Sequence, residues 1–156
     1  MEKFLEYIEE AQKTIQIIDH MVYVTFPLIK DKRLLLKILL ETKIVITKCI
    51  NSILQYEYLY KRISLYKDPK TNFKIFREQC APTYKITKKE IDLISELFNL
   101  AEKHKESPFE FVRNEKVVIL SENLKPEIIT IEKIKEFLLL AKDILSKIKK
   151  RMFNKL

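Results

Sequence analysis

No glycine occurs anywhere in the 156 residues. That absence removes folds more than it selects one. Walker loops, GxGxxG turns and GxSxG elbows each need a backbone without a Cβ at fixed points. None of them can be built from this chain, so the nucleotide-cradling enzyme classes are excluded and no nucleotide cofactor is expected. Tight turns are constrained as well, because glycine is the residue that enters left-handed backbone at no steric cost. The turns are left to Pro, Asn, Asp and Ser.

The hydropathy pattern points to helices. Phe4, Ile8, Ala11, Ile15, Ile18 and Val22 alternate at spacings of four and three, the stripe of an amphipathic helix. This helix is expected to run to about His20 or Met21, with Pro27 bending or ending it, since its ring blocks the preceding hydrogen bond. Asp31 is placed to cap a long second helix from about residue 32 to residue 66, apolar on most sides and therefore central in a bundle. A short helix follows over 73–79, ended by Pro82. Thr87 and Glu90 have the spacing of a capping box and open a helix running to about Lys105. Phe109–Arg113, Asn114-Glu115 and Lys116–Leu120 read as a small β-hairpin, and residues 121–129 as a loop containing Pro126. Thr130 caps the last helix, with the stripe Ile131, Ile134, Leu138, Ala141, Leu145 and Ile148. The expectation is a mainly all-α single domain over 1–156. It is a four-helix-type bundle with one short extra helix and a hairpin before the last helix.

Catalytic and metal chemistry find little to stand on. His20 and His104 are the only histidines, and neither shares a zinc spacing with a cysteine or a second histidine. His20 reads as a boundary residue near the end of the first helix, and His104 stands in the last turn of its helix, where it complements the dipole. Cys49 lies in an apolar stretch and reads as a buried thiol, and two cysteines do not make a disulfide framework. No cofactor, metal ligand or catalytic residue is assigned. Residues 1–10 lack the basic and apolar regions of a signal peptide, and Lys37, Glu41, Lys43 and Lys48 interrupt the most apolar window. A cytoplasmic protein without a membrane role is expected.

The charge is uneven. Formal net charge is +8, yet residues 60–90 carry nine Lys/Arg against three acids, and residues 133–156 carry eight against two. Each segment nets +6, so the remainder is acidic. The first segment opens on tyrosines (Tyr56, Tyr58, Tyr60, Tyr66) among Lys61, Arg62 and Lys67, and continues through Lys70, Lys74 and Arg77. Rings that stack on unpaired bases beside cations that hold phosphates suit nucleic acid. Lys147, Lys149, Lys150 and Arg151 would join this footprint if the two segments converge. The same residues also suit a solvated Lys-rich surface, with the tyrosines wedging the end of the bundle.

The stretch Asp19–Leu28, with residues 31–63 ending in Gln55-Tyr56-Glu57, resembles an uncharacterised archaeal family of HEPN-like helical proteins. His104–Arg113 and Lys116–Leu120 are similar to that family's second half. The resemblance implies a helical bundle, often dimeric, related to RNases or to their RNA-binding partners. The family's nuclease signature is an Arg followed four to six residues later by His. No Arg precedes His20, and the nearest before His104 is Arg77. The resemblance therefore implies a non-catalytic protein binding RNA or a ribonucleoprotein. Two alternatives stand beside it: a protein-interaction bundle (a homo-oligomer or an antitoxin-like partner), and an unconventional RNase using His20 or His104.

Overall fold

The computed structural model describes residues 2–31, 33–106, 109–113, 116–120 and 126–153. The chain is mainly helical. Four long helices, α1 (Lys3–His20), α3 (Arg33–Leu59), α5 (Lys88–Glu106) and α6 (Ile131–Phe153), are joined by the short α2 (Phe26–Ile29) and α4 (Pro69–Ile75). Between α5 and α6 run three antiparallel strands in the order β1 (Phe109–Arg113), β2 (Lys116–Leu120), β3 (Pro126–Ile129). Phe109 faces Leu120, and Val117 faces Ile129. The expected turn at Asn114-Glu115 lies outside the described residues, as does 121–125. Residues 126–129, read from the sequence as loop, form β3, with Pro126 at the strand's first position, where a missing N–H is tolerated.

Helix α3 is the axis of the bundle. It packs against α1, α5 and α6, and Leu35, Ile38, Leu39, Val45, Ile46 and Ile53 on it are inaccessible to solvent. Its buried Thr42 and Ser52 hydroxyls donate to the carbonyls of Ile38 and Cys49, both at 2.7 Å, so neither is left unpaired. The two cysteines are free and buried, and burial pushes both thiols up to about 12, although the Cys80 shift also owes something to the charge of Glu57. No described helix is long and apolar enough to cross a membrane.

Proline does not end the first helix. The chain widens into a π-helical turn over Met21–Thr25, with the Phe26 N–H donating to the Met21 carbonyl, and passes through Pro27 to Ile29. An α-helical proline would collide with the carbonyl four residues back, and the wider turn displaces that carbonyl. Pro82 is preceded in the same way. Helix α4 starts earlier than expected, at Pro69, and runs into a second π turn, Phe76–Cys80, where the Ala81 N–H donates to the Phe76 carbonyl at 2.8 Å.

Lysine takes the place of glycine. Lys30, Lys61 and Lys85, with φ of 54°, 60° and 59°, are the positive-φ residues of the described chain. Each closes a helical segment. At Lys61 and Lys85 the paired bonds of a Schellman turn form: Arg62 N–H to Glu57 O with Lys61 N–H to Tyr58 O, and Ile86 N–H to Ala81 O with Lys85 N–H to Pro82 O. The expectation that Pro, Asn, Asp and Ser make every turn is thereby corrected, and α3 stops at Leu59 instead of residue 66. A side chain in left-handed backbone costs about 1–2 kcal/mol. Lys61→Gly and Lys85→Gly should each raise stability by about 0.5–1 kcal/mol, after the extra unfolded-state freedom of glycine is deducted. Urea unfolding measures this, and a loss of stability in both variants would refute it.

Caps expected from the sequence are made. The Thr87 hydroxyl accepts the Glu90 N–H at 3.2 Å while the Glu90 carboxylate accepts the Thr87 N–H at 3.0 Å. Thr130 accepts the Lys133 N–H at 3.1 Å, and Asp31 accepts that of Arg33 at 3.0 Å.

Candidate functional site

Three helical faces converge on an open groove of about 890 Å³. Helix α3 contributes Lys43, Thr47, Ile50, Asn51 and Leu54, spaced as one face of a helix. Helix α4 and its π turn contribute Lys70, Phe73, Lys74 and Arg77, again at spacings of three and four, and α5 contributes Ser95, Phe98 and Asn99. Four cations therefore border the groove, and among the described residues no carboxylate lines it. Arg77 lies 3.9 Å from Glu78, an exposed and weak pair. Lys70 feels the charge of the Asp68 carboxylate, which caps the same helix.

The floor is aromatic. The rings of Phe73 and Phe98 are half-buried, 5.9 Å apart at centroid and inclined by 57°, and Phe76 supports Phe73 from behind at 5.8 Å. The α4 wall is set by its own polar bonds. Asp68 caps α4 by accepting the Lys70 N–H (3.2 Å) and the Thr71 hydroxyl (2.7 Å), and these bonds hold its carboxyl below the usual range. The Asn72 carboxamide both accepts from the Tyr66 N–H (2.9 Å) and donates to the Tyr66 carbonyl (2.7 Å), so it fastens the loop.

Of the residues singled out from the sequence, Lys70, Lys74 and Arg77 line the groove. Lys43 on α3 and the Phe73–Phe98 floor were missed. The stripe Lys70-Phe73-Lys74-Arg77 carried a signal, cations interleaved with a ring on one helical face, but Lys43 lies in an apolar run where nothing marks it.

The tyrosine-rich end of α3 is built otherwise. Glu57 is only 4% exposed, and its carboxylate accepts from Arg62 Nε on one oxygen and from the Tyr84 hydroxyl, at 3.0 Å, on the other. The Arg62 guanidinium lies 5.5 Å from the Tyr56 ring centre and 5.1 Å from that of Tyr60. Tyr56 is buried edge-on against Phe4 at 5.0 Å. The bond to Glu57 raises the Arg62 pKa further, and burial, then the Glu57 charge, raises that of Tyr84. Arg62 is thus engaged in a structural knot, whereas Lys61 and Lys67 are exposed.

None of the described α6 cations lines the groove. Lys147 bonds Glu90, tying the end of α6 to the start of α5. Lys149 is half-buried, and Lys150 and Arg151 occupy the last turn, where they offset the negative end of the helix. His20 is exposed at the end of α1, and His104 lies in the last turn of α5. No group of three metal-ligating side chains occurs among the described residues. Compared with known proteins, the chain matches no family model, no curated protein and no solved structure.

Proposed function

We propose that this chain is a non-catalytic helical protein of HEPN-like type that binds RNA through the groove between α3, α4 and α5. The observation that carries the reading is the groove's composition: four cations, an aromatic floor and, among the described residues, no carboxylate. Cations on both walls attract phosphates, and the acids beside them, Asp68 and Glu78, offset that field only in part. The cations from Lys70 to Arg77 extend roughly 10 Å along the helix at 1.5 Å per residue, longer than a single phosphate group. Oligouridine binding between 50 and 200 mM salt tests the reading. Affinity should fall on a log–log slope of about −2 to −3, the value for roughly four phosphate contacts on a single strand. No retention at the lowest salt ends the proposal.

A second reading, self-association, has its own support. Ile17, Tyr23, Val24, Leu28 and Ile29 on the first helical stretch and Leu139 on α6 are exposed, with Leu28 at 80%. The Tyr23 ring lies 5.3 Å from Lys135 Nζ and 5.9 Å from Lys142 Nζ, and Leu139 stands one turn from each lysine on the same side of α6. An apolar surface of this kind suits a protein interface. Sedimentation at micromolar concentration should show a dimer that L28S/I29S converts to monomer. A wild-type monomer excludes it.

A further inference from the structure

We infer that the groove takes an unpaired nucleotide, its base lodged on the Phe73–Phe98 ring pair, and so selects single-stranded over double-stranded RNA. This rests on the RNA reading above and narrows it. Phe73 and Phe98 are both half-buried, so each keeps part of its ring open to the groove while the other part is anchored in the bundle. Their inclination of 57° lets a flat base lie on one face while the other ring meets its edge, the arrangement aromatic pairs favour. Phe76 behind Phe73 holds that ring in place.

The polar groups around the rings suit a base better than a bare phosphate. Asn51 on the α3 wall and Asn99 on the α5 wall line the groove, and a carboxamide offers both a donor and an acceptor to a base edge. Asn72, by contrast, bonds the Tyr66 backbone. The groove volume, about 890 Å³, lies in the range that accommodates small-molecule groups of this size. Lys70, Lys74 and Arg77 then follow the backbone away from the base. A duplex keeps its bases stacked and paired, so it can lay phosphates across the cations and still leave the rings untouched.

The experiment compares a 12-nucleotide oligouridine with an RNA duplex of equal length by fluorescence anisotropy, using the full chain and Phe98→Leu. Single-stranded RNA should bind about tenfold more tightly than duplex, and Phe98→Leu should lose about tenfold for the single strand alone, with its salt slope unchanged. Phe73→Leu should repeat the loss, and thermal melts establish that both variants are folded. Equal binding of duplex and single strand, or a folded Phe98→Leu that binds oligouridine normally, overturns this inference and leaves the RNA reading intact. Failure of both RNAs to bind overturns both.

Discussion

Glu57→Ala should remove about 2–3 kcal/mol of folding stability, the largest loss expected from any single polar side chain described. The carboxylate is almost fully buried and bonds two groups from different parts of the chain, Arg62 five residues on and Tyr84 twenty-seven residues on. Breaking a fully buried ion pair typically costs about 3–5 kcal/mol. The lower figure is expected here because Arg62 is 43% exposed and can turn to water once Glu57 is gone. Tyr84 has no such escape at 2% exposure, and its hydroxyl is stranded. The melting midpoint should fall by about 4–12 °C for a chain of this length. Glu57→Gln keeps an acceptor for Tyr84 and should cost about 1 kcal/mol.

A double-mutant cycle separates the knot from simple loss of volume. Tyr84→Phe should cost about 1 kcal/mol in the wild type but be neutral or stabilising once Glu57 is alanine, because it then removes a stranded hydroxyl. Equal costs in the two backgrounds would show that the hydroxyl bond carries no stability. The knot also explains why α3 ends where it does. The Schellman turn at Lys61 brings Arg62 back over Tyr56 and Tyr60, and the ion pair holds it there.

The parts of the fold that could be read from the sequence are those decided by local chemistry. The stripe from Phe4 to Ile18, the Thr87–Glu90 box and the Thr130 cap are short-range patterns whose physics is complete within a few residues, and each is present. What could not be read depends on partners far away or on a competition between two costs. Pro27 looks like a stop because an α-helix cannot hold it, and only the wider turn makes it passable. Lys61 looks like a helical surface residue, and it becomes a left-handed cap because Arg62 and Glu57 reward the turn. Lys70, Lys74 and Arg77 were legible as a charged face. Their joining with Lys43 and Phe98 depends on how α4 and α5 pack against α3, which no spacing in the sequence encodes.

Replacing Lys43, Lys70, Lys74 and Arg77 together by glutamine should weaken RNA binding by about 10²- to 10³-fold at 0.1 M salt. The estimate follows from counterion release: each phosphate neutralised on a single strand contributes about 0.7 to the salt slope, so four contacts account for nearly three decades at that salt. The variant should also lose most of its salt dependence, and that slope is the sharper readout, since a general loss of structure would abolish binding without flattening it. Stability should change little, because the interactions lost, Lys70 with Asp68 and Arg77 with Glu78, are exposed and weak, and the cations repel one another across the groove. The control is K149Q/K150Q/R151Q on α6. It removes three formal charges against the groove variant's four but spares the Lys147–Glu90 pair and the groove, so long-range attraction falls while contact does not. If the α6 variant weakens RNA as much as the groove variant, binding follows net charge and the groove is not the site. If only the groove variant weakens it, the charge of +8 matters where three helical faces place part of it.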